Sequence, residues 1–181
     1  FHLSFGGQNY IEPYTLEHVL EEFVARAELV YGKDELAKTL SSRFRAVLKK
    51  AHAKTGVRAV VLIDEYDKPL LDVMDMDISV QNEYGKMTLE DYNRNLLKGV
   101  YSVFKEADDD LQFVLLTGVT KFSQVSVFSG FNQPNDISMD EHYEALCGIT
   151  EEELYSTFDE QIKAMAVRYK TTEEGMKYKL K

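Results

Sequence analysis

Hydrophobic residues recur with helical spacing in four segments of the chain. In the first two segments they lie three or four positions apart, the spacing of one face of an amphipathic helix. These residues are Leu16, Val19, Leu20, Phe23, Ala27 and Val30, and then Leu36, Leu40, Phe44, Val47, Leu48 and Ala51. The third and fourth segments follow Thr88 and Thr150, each with an acid three positions later, which is typical of a helix N-terminus. Their apolar residues are Leu89, Tyr92, Leu96, Val100 and Phe104, and then Leu154, Phe158, Ile162, Met165 and Tyr169.

Three other segments predict strands. Residues 57–63 and 111–117 are apolar almost without interruption and too short for buried helices. Such runs are typical of strands buried on both faces in parallel sheets covered by helices. Residues 1–5 predict a shorter strand. The alternation of strands and helices favours an α/β layered fold with a mostly parallel sheet.

The remaining segments carry no periodic pattern. Residues 72–86 are polar, acidic and aperiodic, and we expect a loop there. Residues 122–146 are irregular and contain turn-forming residues. The lysine-rich end, residues 177–181, predicts a frayed tail. Without a linker or a repeat between these segments, we expect one domain over residues 1–181.

Composition narrows the classes of function. The formal net charge is −10, which disfavours non-specific binding to nucleic acid or to an anionic membrane. Cys147 is the one cysteine, so an internal disulfide is excluded and a cytoplasmic location is expected. No apolar run approaches the roughly 20 residues of a membrane helix. The chain opens with Phe1 as if inside a strand, so we expect a fragment of a longer protein.

The candidate chemistry lies directly after residues 57–63, where Asp64 and Glu65 follow one another. Ligands of open parallel sheets bind at the carboxyl ends of the strands, and an extended backbone would point two successive acids in different directions. In nucleotide hydrolysis the first acid would hold Mg²⁺ and the second would orient the attacking water. The alternative is a solvated, idle pair of acids. Asp67, shortly before Pro69, fits a helix cap as well as a catalytic role.

Residues 61–69, Val-Leu-Ile-Asp-Glu-Tyr-Asp-Lys-Pro, resemble the Walker B segment of the AAA-ATPase-like ("predicted AAA-ATPase") family. Further segments of the chain resemble the same family in the same order. They are residues 113–123, 127–132, 136–138 and 146–154, and residues 1–5 resemble the strand that comes first. Several ordered segments are more specific than a single motif.

This resemblance implies a three-layer P-loop NTPase core of the additional-strand class. Asp64 and Glu65 would be the Walker B pair, with Asp64 as the metal ligand and Glu65 as the catalytic base. The strand of residues 111–117 would bring Thr117, or else Thr120, to the sensor position beside the γ-phosphate. An ordinary strand-end hydroxyl is the alternative for Thr117. The implied cofactors are ATP and Mg²⁺.

The chain departs from the family in its phosphate-binding loop. Members carry a Gly-Lys-Ser loop before the strand that residues 1–5 resemble, whereas Gly32-Lys33 and Gly85-Lys86 lack the rest of that motif. We therefore expect the first strand and the loop to be missing and the fragment to be inactive without its full-length parent. The exposed sheet edge would then invite self-association. A degenerate nucleotide-fold module that acts as a regulatory or protein-interaction scaffold is the alternative function.

Relatives in this family carry a restriction-nuclease-like domain further along the chain. That chemistry needs an acid followed two positions later by lysine, and no lysine here has Asp or Glu two positions before it. We therefore expect no nucleic-acid binding from this fragment, although the resemblance implies a nuclease-like domain in the parent.

Overall fold

The computed structural model describes residues 1–82, 85–120, 134–143, 145–146 and 148–180. The family-like segment 127–132 and Cys147 lie outside these residues. The chain forms two compact units, Phe1–Pro134 and Asn135–Lys181. A single domain over residues 1–181 stays a prediction.

The first unit contains a three-stranded parallel sheet. Its elements are β1 (His2–Ser4), α1 (Thr15–Tyr31), α2 (Leu40–Thr55), β2 (Ala59–Asp64), α3 (Lys68–Leu71), β3 (Ser79–Asn82), β4 (Gly85–Thr88), α4 (Leu89–Glu106) and β5 (Leu111–Leu116). The sheet order is β1-β2-β5, so β2 is the central strand. The predicted α/β layering and parallel sheet are confirmed, and the P-loop NTPase class stays a prediction.

Strand β2 is buried on one face only, which corrects the predicted burial on both faces. Ala59, Val61 and Ile63 are buried, whereas Val60 and Leu62 are 41% and 38% exposed. The buried face shares one hydrophobic core with α1, α2 and α4. Among the described residues these helices thus cover a single face of the sheet, and the third layer of the predicted arrangement is not among them.

The predicted C-termini of α1 and α2 and the predicted N-terminus of α4 are confirmed, whereas α2 begins later than predicted. Gly32 and Gly56 lie directly after α1 and α2. Thr88 caps α4, because its side chain accepts a hydrogen bond from the backbone N–H of Asp91. Helix α2 begins at Leu40 rather than before Leu36, since the capping box made by Thr39 and Ser42 fixes its N-terminus.

Residues 72–86 contain secondary structure, so the prediction of a loop there is wrong. Strand β3 pairs antiparallel with β4, with Ser79 opposite Thr88. Val80 of β3 is 3% exposed and packs in a small second core. The other buried members of that core are Val73, Leu89 and Tyr92. The hairpin is therefore held by packing against α4, which its short polar sequence does not reveal.

The α-helices described in the second unit are α5 (Glu151–Thr157), α6 (Asp159–Arg168) and α7 (Glu173–Leu180), and a short 3-10 helix, Glu141–Tyr143, precedes them. The predicted capping box of Thr150 and Glu153 is confirmed. The predicted single helix is broken at Phe158, and the predicted frayed tail is helical as far as Leu180. Its core contains Ile162, Ala166 and Met176. No described helix in either unit has the length and apolar character needed to cross a membrane.

Candidate functional site

The three parallel strands end together at one edge of the sheet. Ser4, the last residue of β1, pairs in register with Asp64, the last residue of β2. Thr117 directly follows β5, and its backbone N–H donates to the carbonyl of Ile63 at 2.9 Å. The carbonyl of Thr117 accepts from the N–H of Tyr66, also at 2.9 Å. Thus the predicted site residues Asp64 and Thr117 lie side by side.

The carboxylate of Asp64 is exposed, and one of its oxygens is held by two donors. Oδ1 accepts hydrogen bonds from the Thr117 hydroxyl and, at 3.1 Å, from the backbone N–H of Glu65. Both bonds go to Oδ1, so in the described part of the chain Oδ2 remains available to a ligand. A carboxylate held in this way is oriented before any ligand arrives.

Glu65 adopts a left-handed backbone conformation, with φ of 54°. This corrects the expectation that both acids lie on extended backbone. The left-handed turn brings the Glu65 carboxylate close to Gly6, after the end of β1. A Cβ atom added to Gly6 would lie 3.3 Å from Glu65 Oε1, so the absence of a side chain there permits this close approach.

Tyr10 lies close to the acidic edge and stays neutral. Its side chain is fully buried, and its hydroxyl donates to the carbonyl of Phe5 at 3.1 Å. Burial, and then the negative charges of Asp72 and Glu65, raise the pKa of Tyr10 well above its usual range. The tyrosine is therefore a hydrogen-bond donor rather than a proton acceptor at neutral pH.

Asp67 joins the segment after β2 to the segment after β5. Its carboxylate is fully buried, and Oδ2 accepts from Val119 N–H at 3.0 Å and from Thr120 N–H and Oγ1, each at 2.6 Å. The Asp67 side chain makes no capping hydrogen bond to α3. Of the two predicted sensor residues, Thr117 therefore contacts Asp64, whereas the hydroxyl of Thr120 is directed to Asp67.

Gly118 permits the close contact between these two segments. A Cβ atom at Gly118 would lie 2.6 Å from the ring of Tyr66 and 2.7 Å from Oδ1 of Asp67, closer than real Cβ atoms come. Reasoning from the sequence missed the roles of Asp67, Gly118 and Gly6. The sequence features that could have indicated these roles were the polar residues directly after the acidic pair and the glycines after two strands.

The side chains at this edge include oxygen donors of the kind that suit Mg²⁺. Asp64 and Glu65 supply carboxylates and Ser4 a hydroxyl, all of them oxygen donors that suit a hard cation. Among the residues that the structure describes, no group of three or more His, Cys, Asp or Glu side chains could hold a metal. Mg²⁺ commonly binds to one or two carboxylates, water and substrate phosphates, so this set suffices only when a phosphate completes it.

Comparison with known proteins identifies the family. The family model described as "Predicted AAA-ATPase" matches residues 1–128, which include the whole acidic edge. The chain is 36% identical over 166 residues to an uncharacterized protein in the vnfD 5′ region of Azotobacter chroococcum mcd 1. This match covers 90% of the chain but only 30% of that relative's length, and no solved structure matches the chain. The chain belongs to the AAA-ATPase-like family.

Proposed function

We propose that this chain is part of an ATP-binding and ATP-hydrolysing domain, in which Asp64 and Glu65 are the Walker B pair. The observation that carries the proposal is the hydrogen bond from Thr117 to Asp64 at the carboxyl ends of adjacent parallel strands. It joins an acid and a neighbouring hydroxyl at the edge where ligands of such sheets bind. Membership of the AAA-ATPase-like family supports the same function.

Each residue at the edge has a distinct role in this proposal. Asp64 would hold Mg²⁺, and Glu65 would orient the attacking water and accept its proton. Thr117 is the sensor, since the hydroxyl of Thr120 already donates to Asp67. When bound, Mg²⁺ neutralises charge on the β- and γ-phosphate oxygens of ATP.

A phosphate-binding loop is the part of the site that these residues do not supply. The sequence contains no Gly-x-x-x-x-Gly-Lys-Ser/Thr motif, and the chain spans about 30% of the relative it matches. We propose that the loop lies elsewhere in the full-length protein and that this chain hydrolyses ATP only as part of it. A nuclease-like domain in that protein stays a prediction.

The test uses the full-length protein with three variants. We expect Glu65→Gln to lower kcat by about 100-fold or more while Mg²⁺-ATP still raises the melting temperature. Asp64→Asn should weaken the Mg²⁺-dependent part of that shift. Glu35→Gln is the matched control, because Glu35 is exposed and follows α1, away from the acidic edge. Turnover that survives Glu65→Gln would refute the proposed role of Glu65.

A protein-interaction scaffold is the second candidate function. It is favoured by the exposed apolar side chains of Val60, Leu62 and Phe113 on the sheet, because exposed apolar patches often mark interaction surfaces. A full-length protein that neither binds nor hydrolyses Mg²⁺-ATP would support this candidate over the ATPase. Self-association through a sheet edge also stays a prediction, and sedimentation of the purified protein tests it.

A further inference from the structure

We propose that Asp67 is a positioning residue that fixes residues 118–120 and thereby holds the Thr117 hydroxyl against Asp64. The proposal rests on the ATPase function proposed above, since it assigns a role within that site. Asp67 is fully buried, whereas Asp64 is exposed at the acidic edge. Asp67 acts through the segment that follows β5.

The contacts of Asp67 concentrate on one short segment. Its Oδ2 atom accepts three hydrogen bonds, two from backbone N–H groups of Val119 and Thr120 and one from the hydroxyl of Thr120. The preceding residue, Tyr66, adds a fourth bond, because its hydroxyl donates to the carbonyl of Thr120 at 2.5 Å. Two consecutive residues after β2 therefore hold the segment after β5.

Thr117 depends on this anchor because the residue after it has no side chain. Gly118 has no side chain that would restrain the backbone by packing, and a Cβ atom there would collide with Tyr66 and Asp67. The N–H of Thr117 donates to Ile63 and its carbonyl accepts from Tyr66, so sheet hydrogen bonds hold both peptide groups of this residue. The next anchor along the chain is Asp67, which holds residues 119 and 120. If that anchor is lost, the backbone beyond Gly118 is freer to move and the Thr117 hydroxyl is directed less firmly to Asp64.

The environment of Asp67 argues for a geometric role rather than for packing. The side chain is completely buried, and among the described residues its Oδ1 atom has no hydrogen-bond partner. A buried polar atom without a partner is costly, so Oδ1 does not explain why a carboxylate is present here. A carboxylate has the advantage that one oxygen accepts several donors at once, which no apolar side chain does.

The experiment compares Asp67→Ala and Asp67→Asn in the full-length protein. Asparagine keeps an oxygen acceptor of the same size, so it should retain most of the anchor if alanine does not fold. Asp110→Asn is the matched control, because Asp110 also joins two elements, through His52 Nδ1 at 2.8 Å, but lies before β5 at the opposite end of the strand. Hydrogen exchange of the amides of residues 119 and 120 is measured alongside kcat and KM for ATP.

We expect Asp67→Ala to speed exchange of these two amides about 10- to 100-fold, with a much smaller effect in Asp67→Asn and none in Asp110→Asn. We also expect kcat to fall about tenfold in Asp67→Ala while KM changes little. Because Asp67 acts through Thr117, adding Asp67→Ala to Thr117→Val should cause no further loss of kcat.

The outcomes separate this proposal from the proposed function. Unchanged exchange of amides 119 and 120 in Asp67→Ala, or effects on kcat that add to those of Thr117→Val, would overturn the positioning role while the ATPase stands. A wild-type protein without ATPase activity would overturn the proposed function and, with it, the role of Asp67 in catalysis. The exchange measurement would still report whether Asp67 anchors the segment.

Discussion

Thr117 and Asp64 are separated by 53 positions in the sequence, yet the hydroxyl of one donates directly to the carboxylate of the other. The contact forms because β2 and β5 are adjacent and parallel, with Ile63 opposite Leu116. The next residue on each strand is then brought to the same edge of the sheet. The proposed ATPase site is built around this pair.

The Thr117–Asp64 hydrogen bond predicts a difference between two conservative variants. Thr117→Val keeps the shape of the side chain but removes the donor, and we expect kcat of the full-length protein to fall about tenfold. Thr117→Ser restores the hydroxyl and should recover most of the activity. Steady-state kinetics with ATP measures both. Equal losses in the two variants would show that packing, not the hydroxyl, matters at this position.

The tight contact at Gly118 predicts that alanine is not tolerated there. The added Cβ would overlap the ring of Tyr66 and the Asp67 carboxylate, so we expect Gly118→Ala to destabilise the protein by roughly 1–3 kcal/mol. In the control Gly99→Ala, the new Cβ meets only the Ser41 hydroxyl, at 3.2 Å, and lies within α4. There the gain in helix propensity of about 1 kcal/mol offsets the contact. Denaturant unfolding of the two variants checks the difference.

The pairing of Glu28 with Arg43 predicts a pH-dependent contribution to stability. The two side chains share two hydrogen bonds, at 3.0 and 2.8 Å, and both are largely buried. Hydrogen bonding to Arg43 lowers the pKa of Glu28 below its ordinary value of 4.5. The pair therefore stabilises the fold above that pH, and this contribution is lost as the pH falls and Glu28 takes up a proton.

We therefore expect Arg43→Met to lower the free energy of unfolding by roughly 1–3 kcal/mol at neutral pH. The loss should shrink as the pH falls below 4.5, the ordinary pKa of a glutamate. Arg45→Met is the control, since the ion pair of Arg45 with Glu106 is about half exposed, and we expect a change of less than about 1 kcal/mol. Urea titrations at several pH values test this, and a loss that does not depend on pH would contradict it.

The burial of Tyr101 predicts that the protein becomes less stable in alkaline solution. Tyr101 is buried in the main core, and burial, followed by the nearby Tyr66 and Asp67, raises its pKa far above the ordinary value of 10. Because this pKa is higher in the folded than in the unfolded chain, neutral Tyr101 contributes fully to stability below pH 10, the pKa expected for an unfolded chain. That contribution is lost as the pH rises above this value. We expect Tyr101 to ionise only when the protein unfolds. Ultraviolet absorbance measures the ionisation of tyrosine. Ionisation of Tyr101 in a protein that stays folded would contradict this.

Much of the first unit could be predicted from the sequence because single periodic patterns determine it. The apolar runs before Asp64 and Thr117 specify adjacent strands, and Thr88 specifies the start of α4 through a local hydrogen bond. The hairpin of β3 and β4 could not be predicted in this way. It is stabilised by Val80, which packs with Val73 and with Leu89 and Tyr92 of α4, contacts that no periodic pattern in the segment indicates.

The arrangement of the candidate site could be predicted where it depends on strand ends, but not where it depends on contacts between the segments that follow the strands. Asp64 ends one recognisable strand and Thr117 directly follows another, so their proximity follows from a parallel sheet. Asp67 lies 52 positions before Val119, and no periodicity relates the two residues. The exposure of Val60 could not be predicted from the sequence either. An uninterrupted apolar run is compatible with a strand that is covered on one face and with a strand that is covered on both.

At position 65 the left-handed backbone favours glycine, whereas the proposed ATPase chemistry requires the carboxylate of Glu65. A residue with a side chain costs roughly 1–2 kcal/mol in that conformation, whereas glycine adopts it freely. A library of variants at position 65 that is screened for heat resistance should therefore become enriched in glycine. The same library screened for ATP turnover should retain glutamate, although glycine at this position would make the protein more stable.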